Sequence, residues 1–83
     1  MAWRLTWTES GAKEFLKLER ADRDRIRGKL LSTLANPLRH FEKLRGRPEW
    51  KLQVGDHRVI ALVLIRDETV EVQAVLHRSV AYR

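Results

Sequence analysis

The sequence has no cysteine, only two prolines and four glycines, and no long hydrophobic run in its 83 residues. The absence of cysteine excludes disulfide bonds and thiolate zinc sites, and it fits a reducing compartment. The longest apolar stretch, from Val59 to Ile65, is too short for a membrane helix. Arg4 and Thr6 interrupt the apolar residues near the N-terminus, unlike the apolar core of a signal peptide. We therefore expect a cytoplasmic protein that does not enter a membrane.

Recognisable cofactor motifs are also missing from the sequence. The spacing of His40, His57 and His77 matches no common metal-binding pattern. The sequence contains no phosphate-binding glycine loop, dinucleotide fingerprint or helix-turn-helix signature. We therefore expect neither a metal ion nor an organic cofactor.

Positive charge dominates the composition. The 17 lysines and arginines exceed the 11 aspartates and glutamates, which gives a formal net charge of +6 at pH 7. Most of the cations are arginine, whose planar guanidinium can bind phosphate through two N–H groups. This balance favours a polyanionic partner, with nucleic acid ahead of an acidic protein. A basic surface that serves only solubility is the simpler alternative.

The first half of the chain predicts one strand followed by two helices. Residues 3–8 alternate between apolar and polar side chains, as in a half-buried strand. Thr8 or Ser10 can cap the short amphipathic helix that follows. A second apolar pattern at helical spacing runs from Ile26 to Leu34, and we expect Asn36-Pro37 to end that helix.

The second half of the chain predicts three antiparallel strands. We expect a loop over residues 38–49, then a strand from Trp50 to Val54 and a tight turn at Gly55-Asp56. The next strand, His57 to Arg66, has apolar side chains on both faces, so we expect both faces to be covered. The last strand, Val70 to Leu76, should turn its even-numbered residues to the core.

These elements predict a single α+β domain over residues 1–83. An N-terminal strand and a two-helix hairpin precede an antiparallel three-strand meander, and the strands form one twisted sheet with the helices on one face. The sequence contains no internal repeat, low-complexity run or flexible linker.

The meander would gather cationic side chains at one end of the sheet. Lys51 and Gln53 alternate with apolar residues, so they leave the sheet on one face. The Gly55-Asp56 turn would bring Arg58 back beside them. The end of the last strand would lie beside Arg58, because antiparallel neighbours place the end of one strand against the beginning of the other. The expected cluster comprises Lys51, Arg58, Arg78 and Tyr82, with His57 or His77.

A cluster of this composition suits chemistry at a phosphate. RNA supplies its own nucleophile, since its 2′-hydroxyl can attack the adjacent phosphorus without a metal. The protein then needs to accept that proton, stabilise the phosphate oxygens and protonate the leaving oxygen. The alternatives are a solvated strand edge, a simple phosphate contact, or a structural ion pair of Arg58 with Asp56 or Glu71.

Several marks along the chain occur in a characteristic order. They are the W-x-L-x-W-T start, Lys43-Leu44 with Gly46, the run Val54-Gly55-Asp56-x-Arg58-Val59, and His77-Arg78 with Tyr82. In this order they resemble the RelE/ParE superfamily of bacterial and archaeal toxins, and the RelE branch in particular. The resemblance covers the whole chain.

The resemblance implies an endoribonuclease that cuts mRNA in the ribosomal A site without a metal. Matched by position, Arg58 and Arg78 would stabilise the scissile phosphate, and Lys51 or Tyr82 would transfer the proton. Further RNA contacts would come from Arg45, Arg47, Gln53 and Arg83. The partners implied are the ribosome with its mRNA and a cognate RelB-like antitoxin that holds the toxin inactive, with a toxin–antitoxin heterotetramer as one form of that complex.

Two features depart from the RelE pattern. Gln53 stands where the best-known pattern has a second lysine, and an amide cannot transfer a proton at a useful pKa. The spacing from Arg78 to Tyr82 is also shorter than in some members. Several related toxins use a histidine near the C-terminus, so His77 is a further candidate for the acid.

Two other functions stay open. One is that of the ParE branch, which shares the fold but poisons DNA gyrase, and the other is that of a degenerate toxin that acts only by binding.

Overall fold

A computed structural model describes residues 2–81, so that Tyr82 and Arg83 lie outside the described residues. The elements in chain order are β1 (Arg4–Trp7), α1 (Glu9–Leu16), α2 (Arg20–Thr33), α3 (Pro37–His40), β2 (Glu42–Lys43), β3 (Trp50–Val54), β4 (His57–Leu64), β5 (Thr69–His77) and α4 (Arg78–Ala81). The predicted α+β class is confirmed. Within residues 2–81, no helix is long and apolar enough to span a membrane.

The strands form one five-stranded sheet in the order β1-β5-β4-β3-β2. The antiparallel meander of β3, β4 and β5 is confirmed. The N-terminal strand was not placed by the sequence analysis, and it joins the sheet parallel to β5, with Leu5 opposite Val70 and Trp7 opposite Val72. Parallel neighbours need a long crossover, and here the three helices α1–α3 and the strands β2–β4 lie between the two strands in the chain.

The segment predicted as a loop contains regular structure. The prediction that α2 ends at Asn36-Pro37 is wrong by a few residues, because α2 ends at Thr33 with Leu34 as its C-cap. Pro37 instead begins α3, where its fixed φ and missing N–H suit a first helical turn. β2 then pairs with β3, with Glu42 opposite Lys51.

The helical layer packs on one face of the sheet. Thr8 caps α1 as predicted, since its Oγ1 accepts a hydrogen bond from the Gly11 N–H at 3.0 Å. Ile26 and Leu30 of α2 are fully buried against this face together with Val59 of β4. Burying such side chains stabilises the fold by about 1.5–3 kcal/mol each.

The opposite face of the sheet has no helical cover among the described residues. Along β4, His57, Val59, Ala61 and Val63 are buried, and the residues between them are only half-buried. The prediction that both faces of this strand are covered is therefore wrong. We call this second surface the open face, and Ile60 and Leu62 contribute apolar side chains to it.

A β-bulge in β5 changes which residues reach the core. Ile60 pairs with Ala74 but Ala61 pairs with Val72, so Gln73 is an extra residue in β5. Beyond the bulge the alternation is reversed: Val75 is buried, whereas Ala74 and Leu76 are half-buried. The predicted even-numbered core positions are therefore correct for the first part of the strand and wrong after it.

Candidate active site

The open face carries three of the predicted site residues. Lys51 and Gln53 lie on β3 and Arg58 lies on β4. Gln53 is directly opposite Arg58, and Lys51 is the next residue of β3 on the same face. Cβ atoms of directly opposed residues are about 4.5–5.5 Å apart, and diagonal neighbours are about 7–8 Å apart. The hairpin thus brings two cations and one amide within the reach of a single phosphodiester.

A groove with a volume of about 300 Å³ runs beside Arg58 on the open face. Its apolar lining consists of Leu44, Ile60, Ala74 and Leu76, and its polar lining of Arg47, Glu49, Arg58 and Gln73. Arg58 itself is half-buried and lies opposite Leu76 in the ladder. An apolar, partly desolvated setting strengthens the interaction of a guanidinium with a bound anion.

The C-terminal end of β5 returns to the β3–β4 turn. Arg78 begins α4, and its backbone N–H donates a hydrogen bond to the Asp56 carbonyl oxygen at 2.6 Å. This bond ties Arg78 to the turn that precedes Arg58. Arg78 is exposed at the end of the sheet where Arg58 lies. The structure therefore brings Arg78 to the same end of the sheet as Lys51 and Arg58.

The two histidines near the site lie on the other face of the sheet. His57 pairs with His77, and their ring centroids are 5.3 Å apart in an edge-on arrangement. His57 is buried on the helix-covered face, and His77 is exposed. Nδ1 of His77 accepts a hydrogen bond from the Ser79 N–H at 3.2 Å, which caps the start of α4. The sheet thus separates both imidazoles from the open-face surface that Lys51 and Arg58 share.

The loop between β2 and β3 presents Arg47 to the groove. Gly46 has a φ of +69°, a conformation that side-chain-bearing residues rarely adopt. Nζ of Lys43 donates a hydrogen bond to the Arg47 carbonyl oxygen and so closes the turn. Arg45 is exposed in this loop, and Arg47 lines the groove beside Arg58. Of the two loop arginines, Arg47 is the one that the groove geometry supports as an RNA contact.

Glu49 is a groove residue that the sequence analysis missed. Its carboxylate lies 3.2 Å from Arg47 Nη2, and 25% of its side chain is exposed. A backbone hydrogen bond at Glu49 lowers the pKa of this carboxyl below its ordinary value, and Arg47 lowers it further, against the opposing effect of burial. The sequence contained a signal for it, because Glu49 stands two residues before Lys51. Residues two apart in a strand lie on the same face, so extending β3 by one residue at its start places Glu49 on the face of Lys51. The groove therefore holds an ionised carboxylate beside its cations.

The described residues offer little for a metal ion. Residues 2–81 contain no group of three or more histidine, cysteine, aspartate or glutamate side chains that could hold one. The polar lining near Arg58 is instead dominated by nitrogen cations, which favour an anionic ligand over a metal ion. What this arrangement can do chemically is bind a phosphate and stabilise charge that develops on it.

Comparison with solved structures places the fold among toxins. A chain of the Escherichia coli RelBE toxin–antitoxin complex is 28% identical to this chain with a TM-score of 0.80, covering 92% of this chain and 96% of the other. The archaeal RelE–RelB complex of Pyrococcus horikoshii gives 21% identity and a TM-score of 0.78, covering 94% and 97%. The RelBE2 complex of Mycobacterium tuberculosis gives 18% identity and a TM-score of 0.86, covering 94% and 100%. The last two show a shared fold alone.

Comparison with protein families gives the same answer at the level of sequence. The family model described as the ParE toxin of the type II toxin–antitoxin system parDE matches residues 5–82. No curated protein sequence matches the chain. Together with the RelE-like fold, the match over nearly the full length shows that the chain belongs to the RelE/ParE superfamily, the toxins of type II toxin–antitoxin systems.

Proposed function

We propose that this toxin is a ribosome-dependent endoribonuclease that cleaves mRNA in the A site without a metal. The observation that carries the proposal is the placement of Arg58 with Lys51 on the open face, beside a groove, while the backbone of Arg78 is bonded to the turn that precedes Arg58. Two guanidinium groups and one ammonium can bind the equatorial oxygens of a phosphodiester as they gain negative charge. Removing one such group typically costs about 10²–10³ in rate.

The reaction uses the RNA's own 2′-hydroxyl. Its oxygen attacks the adjacent phosphorus as a base takes its proton, the bond to the 5′-oxygen breaks, and an acid protonates that leaving oxygen. The products are a 2′,3′-cyclic phosphate and a 5′-hydroxyl, so no water enters this step. Arg58 and Arg78 stabilise the pentacoordinate phosphorane on this proposal.

Three groups can serve the proton transfers. Lys51 and Tyr82 are the two that the family resemblance implies, and the groove adds Glu49. Glu49 is ionised at neutral pH, as a base must be, although its lowered pKa makes this carboxylate a weaker base than an ordinary glutamate. Gln53 contributes only hydrogen bonds; its Nε2 donates to the Gly55 carbonyl oxygen at 2.9 Å. His77 lies on the other face of the sheet, which weighs against its role as the acid.

The proposed partners follow from the related complexes. The similar solved structures include RelE–RelB complexes from bacteria and archaea. We infer that a RelB-like antitoxin binds this chain and holds it inactive, in a heterodimer or heterotetramer. A ribosome-dependent nuclease acts in the cytoplasm, where ribosomes translate mRNA.

A gyrase poison of the ParE kind is the second candidate. The observation in its favour is that the matching family model is the one for ParE toxins. The open-face cations favour the nuclease, since a gyrase poison does not need a phosphate-stabilising set beside a groove. A toxin that has lost catalysis and acts only by binding is the third possibility.

A reconstituted translation reaction tests the proposal. Purified toxin is added to stalled ribosomes on a defined mRNA, and cleavage is mapped by primer extension with and without ribosomes. Cuts within codons that require ribosomes and disappear in Arg58→Ala and Arg78→Ala are the expected result. Arg66→Ala is the matched control, because Arg66 is an exposed arginine in the turn between β4 and β5 and does not line the groove.

A gyrase supercoiling assay on the same preparations separates the candidates. Absence of cleavage together with inhibited supercoiling would establish the ParE-like function and reject the nuclease. Absence of both, with growth arrest retained in Arg58→Ala, would assign toxicity to binding alone.

A further inference from the structure

A second cleft lies around the outer edge of β3. β2 pairs only with Trp50 and Lys51, so in the described part of the chain the edge of residues 52–54 lies beyond the ladder. A cleft with a volume of about 340 Å³ occupies this position. Its polar lining comprises Lys29 of α2, His40 of α3, Glu42 of β2, Lys51 and Gln53 of β3, and Arg58 of β4.

The charges of this cleft favour an anion. Lys29, Lys51 and Arg58 are cationic, and Glu42 carries the one carboxylate in the lining. In the formal count, in which histidine carries no charge, the lining has an excess of two positive charges. Glu42 lies directly opposite Lys51 in the ladder, and its Oε2 is 4.0 Å from Lys51 Nζ. An exposed pair at this distance contributes little stability, so a phosphate can displace the carboxylate.

The cleft is continuous with the groove through Arg58. Arg58 lines both, so the two surfaces meet at the residue proposed to hold the scissile phosphate. A single RNA strand carries a phosphate at every nucleotide. A strand whose scissile phosphate lies at Arg58 therefore brings the neighbouring phosphate to one of these two surfaces, and the cleft is the one with several cations and no apolar side chain besides Leu52.

Three of the four arginines of α2 make polar contacts within the protein. Arg20 and Arg27 form ion pairs with Asp24 at 3.8 and 3.7 Å. Nη1 of Arg23 donates a hydrogen bond to the Leu18 carbonyl oxygen. Of the five cationic residues of α2, Lys29 is the one that lines the cleft.

We propose that this cleft binds the backbone phosphate next to the scissile one, through Lys29 and His40. The inference rests on the proposed RNA substrate and extends its site around the edge of the sheet to the helical layer. Lys29 and His40 are positioning residues here: they fix the register of the strand on Arg58 and take no part in bond breaking. Glu42 opposes binding and limits the affinity for free RNA.

Binding of a non-cleavable RNA measures this without relying on catalysis. Fluorescence anisotropy with a labelled single-stranded 2′-O-methyl hexanucleotide is recorded at several salt concentrations. We expect Lys29→Ala to weaken binding by about fivefold at low salt and to reduce the slope of log K against log salt by about 0.7. His40→Ala should weaken binding as well, and Glu42→Gln should tighten it by about twofold.

The matched control is Lys17→Ala, which removes an exposed lysine from the end of α1, away from the cleft. It should leave both the affinity and the salt slope unchanged. In the translation reaction, Lys29→Ala should raise the ribosome concentration for half-maximal cleavage more than it lowers kcat.

Three results would each overturn the inference: unchanged RNA affinity in Lys29→Ala and His40→Ala, weaker binding in Glu42→Gln, or no RNA binding by the wild-type protein. If the wild-type protein cleaves mRNA normally in those cases, the proposed function stands and only the cleft assignment fails. If the variants change binding as expected but no cleavage occurs, the cleft assignment stands and the nuclease proposal fails.

Discussion

Gly11 is the residue at which a single methyl group should test the packing of α1 on the sheet. A Cβ atom at this position would lie 2.5 Å from the Val72 carbonyl oxygen and 3.1 Å from the carbonyl carbon. Both atoms belong to the backbone of β5, which is paired with β1 on one side and β4 on the other. The strand cannot move away alone, so α1 has to retreat from the sheet.

The expected cost follows from this overlap. A contact of 2.5 Å is about 1 Å inside ordinary van der Waals separation, and overpacking of this kind costs about 1–3 kcal/mol or more. The better helix propensity of alanine returns at most about 1 kcal/mol. Retreat of α1 also lengthens the hydrogen bond from Thr8 N–H to the Val72 carbonyl, which is 3.0 Å long. We expect Gly11→Ala to lose about 2 kcal/mol, which for a domain of this size lowers Tm by roughly 10 °C.

Thermal unfolding followed by circular dichroism measures this change. Gly28→Ala is the matched control, because Gly28 lies in α2 with no atom within 4 Å of an added Cβ. That variant should be stabilised, by up to about 1 kcal/mol. The two glycine-to-alanine changes should therefore have opposite signs. A Gly11→Ala protein as stable as the wild type would refute the close packing of α1 against β5.

Four further outcomes follow from the site and the helix cap. Arg58→Ala should lower ribosome-dependent cleavage by about 10²–10³, and Arg58→Lys should restore only part of it because an ammonium cannot form the bidentate contact; full activity of either variant in primer extension would contradict the phosphate role. Glu49→Gln should lower cleavage by about 10²–10⁴ if Glu49 is the base. Because the pKa of Glu49 is lowered in the fold, the ionised carboxylate stabilises the protein above pH 4.5, and this stabilisation is lost as the pH falls through the lower pKa of the folded state. The Tm difference between wild type and Glu49→Gln should therefore shrink from pH 7 to pH 3. A constant Tm difference would refute the stabilising role of the Glu49 carboxylate. Thr8→Ala should cost about 1 kcal/mol in urea unfolding while Thr8→Ser retains most of the cap, and equal losses in both would deny the Gly11 N–H bond its role.

Local patterns predicted the elements whose partners are near in sequence. The Gly55-Asp56 turn predicted that Arg58 lies near Gln53, and in the structure the two residues are directly opposite each other. Thr8 or Ser10 was predicted as the cap of the first helix, and Thr8 is the cap. These outcomes depend on a few neighbouring residues, so periodicity and turn chemistry are sufficient to predict them.

Such local patterns could not predict on which face of the sheet each side chain of β5 lies. Strict alternation predicted Ala74 and Leu76 in the core and would have placed His77 on the face of Arg58. The bulge at Gln73 reverses the alternation, so Leu76 lies on the open face and His77 lies opposite the buried His57. The N–H of Val75, just after the bulge, bonds to Glu14 Oε1 of α1 at 3.1 Å. A residue 61 positions earlier in the chain thus supports the irregularity, and no local window contains that information.

The sequence by itself determined the basic charge, the class of the fold, the β3–β4 hairpin and the cations that the hairpin gathers. Only the tertiary structure decided that β1 joins β5 in parallel, that one face of the sheet stays open, and that Glu49 lines the groove beside Arg58. The physical reason is the range of the interactions. Hairpins and helix caps form between neighbours, whereas sheet edges, covered faces and clefts result from contacts between distant segments that compete to bury the same apolar surface.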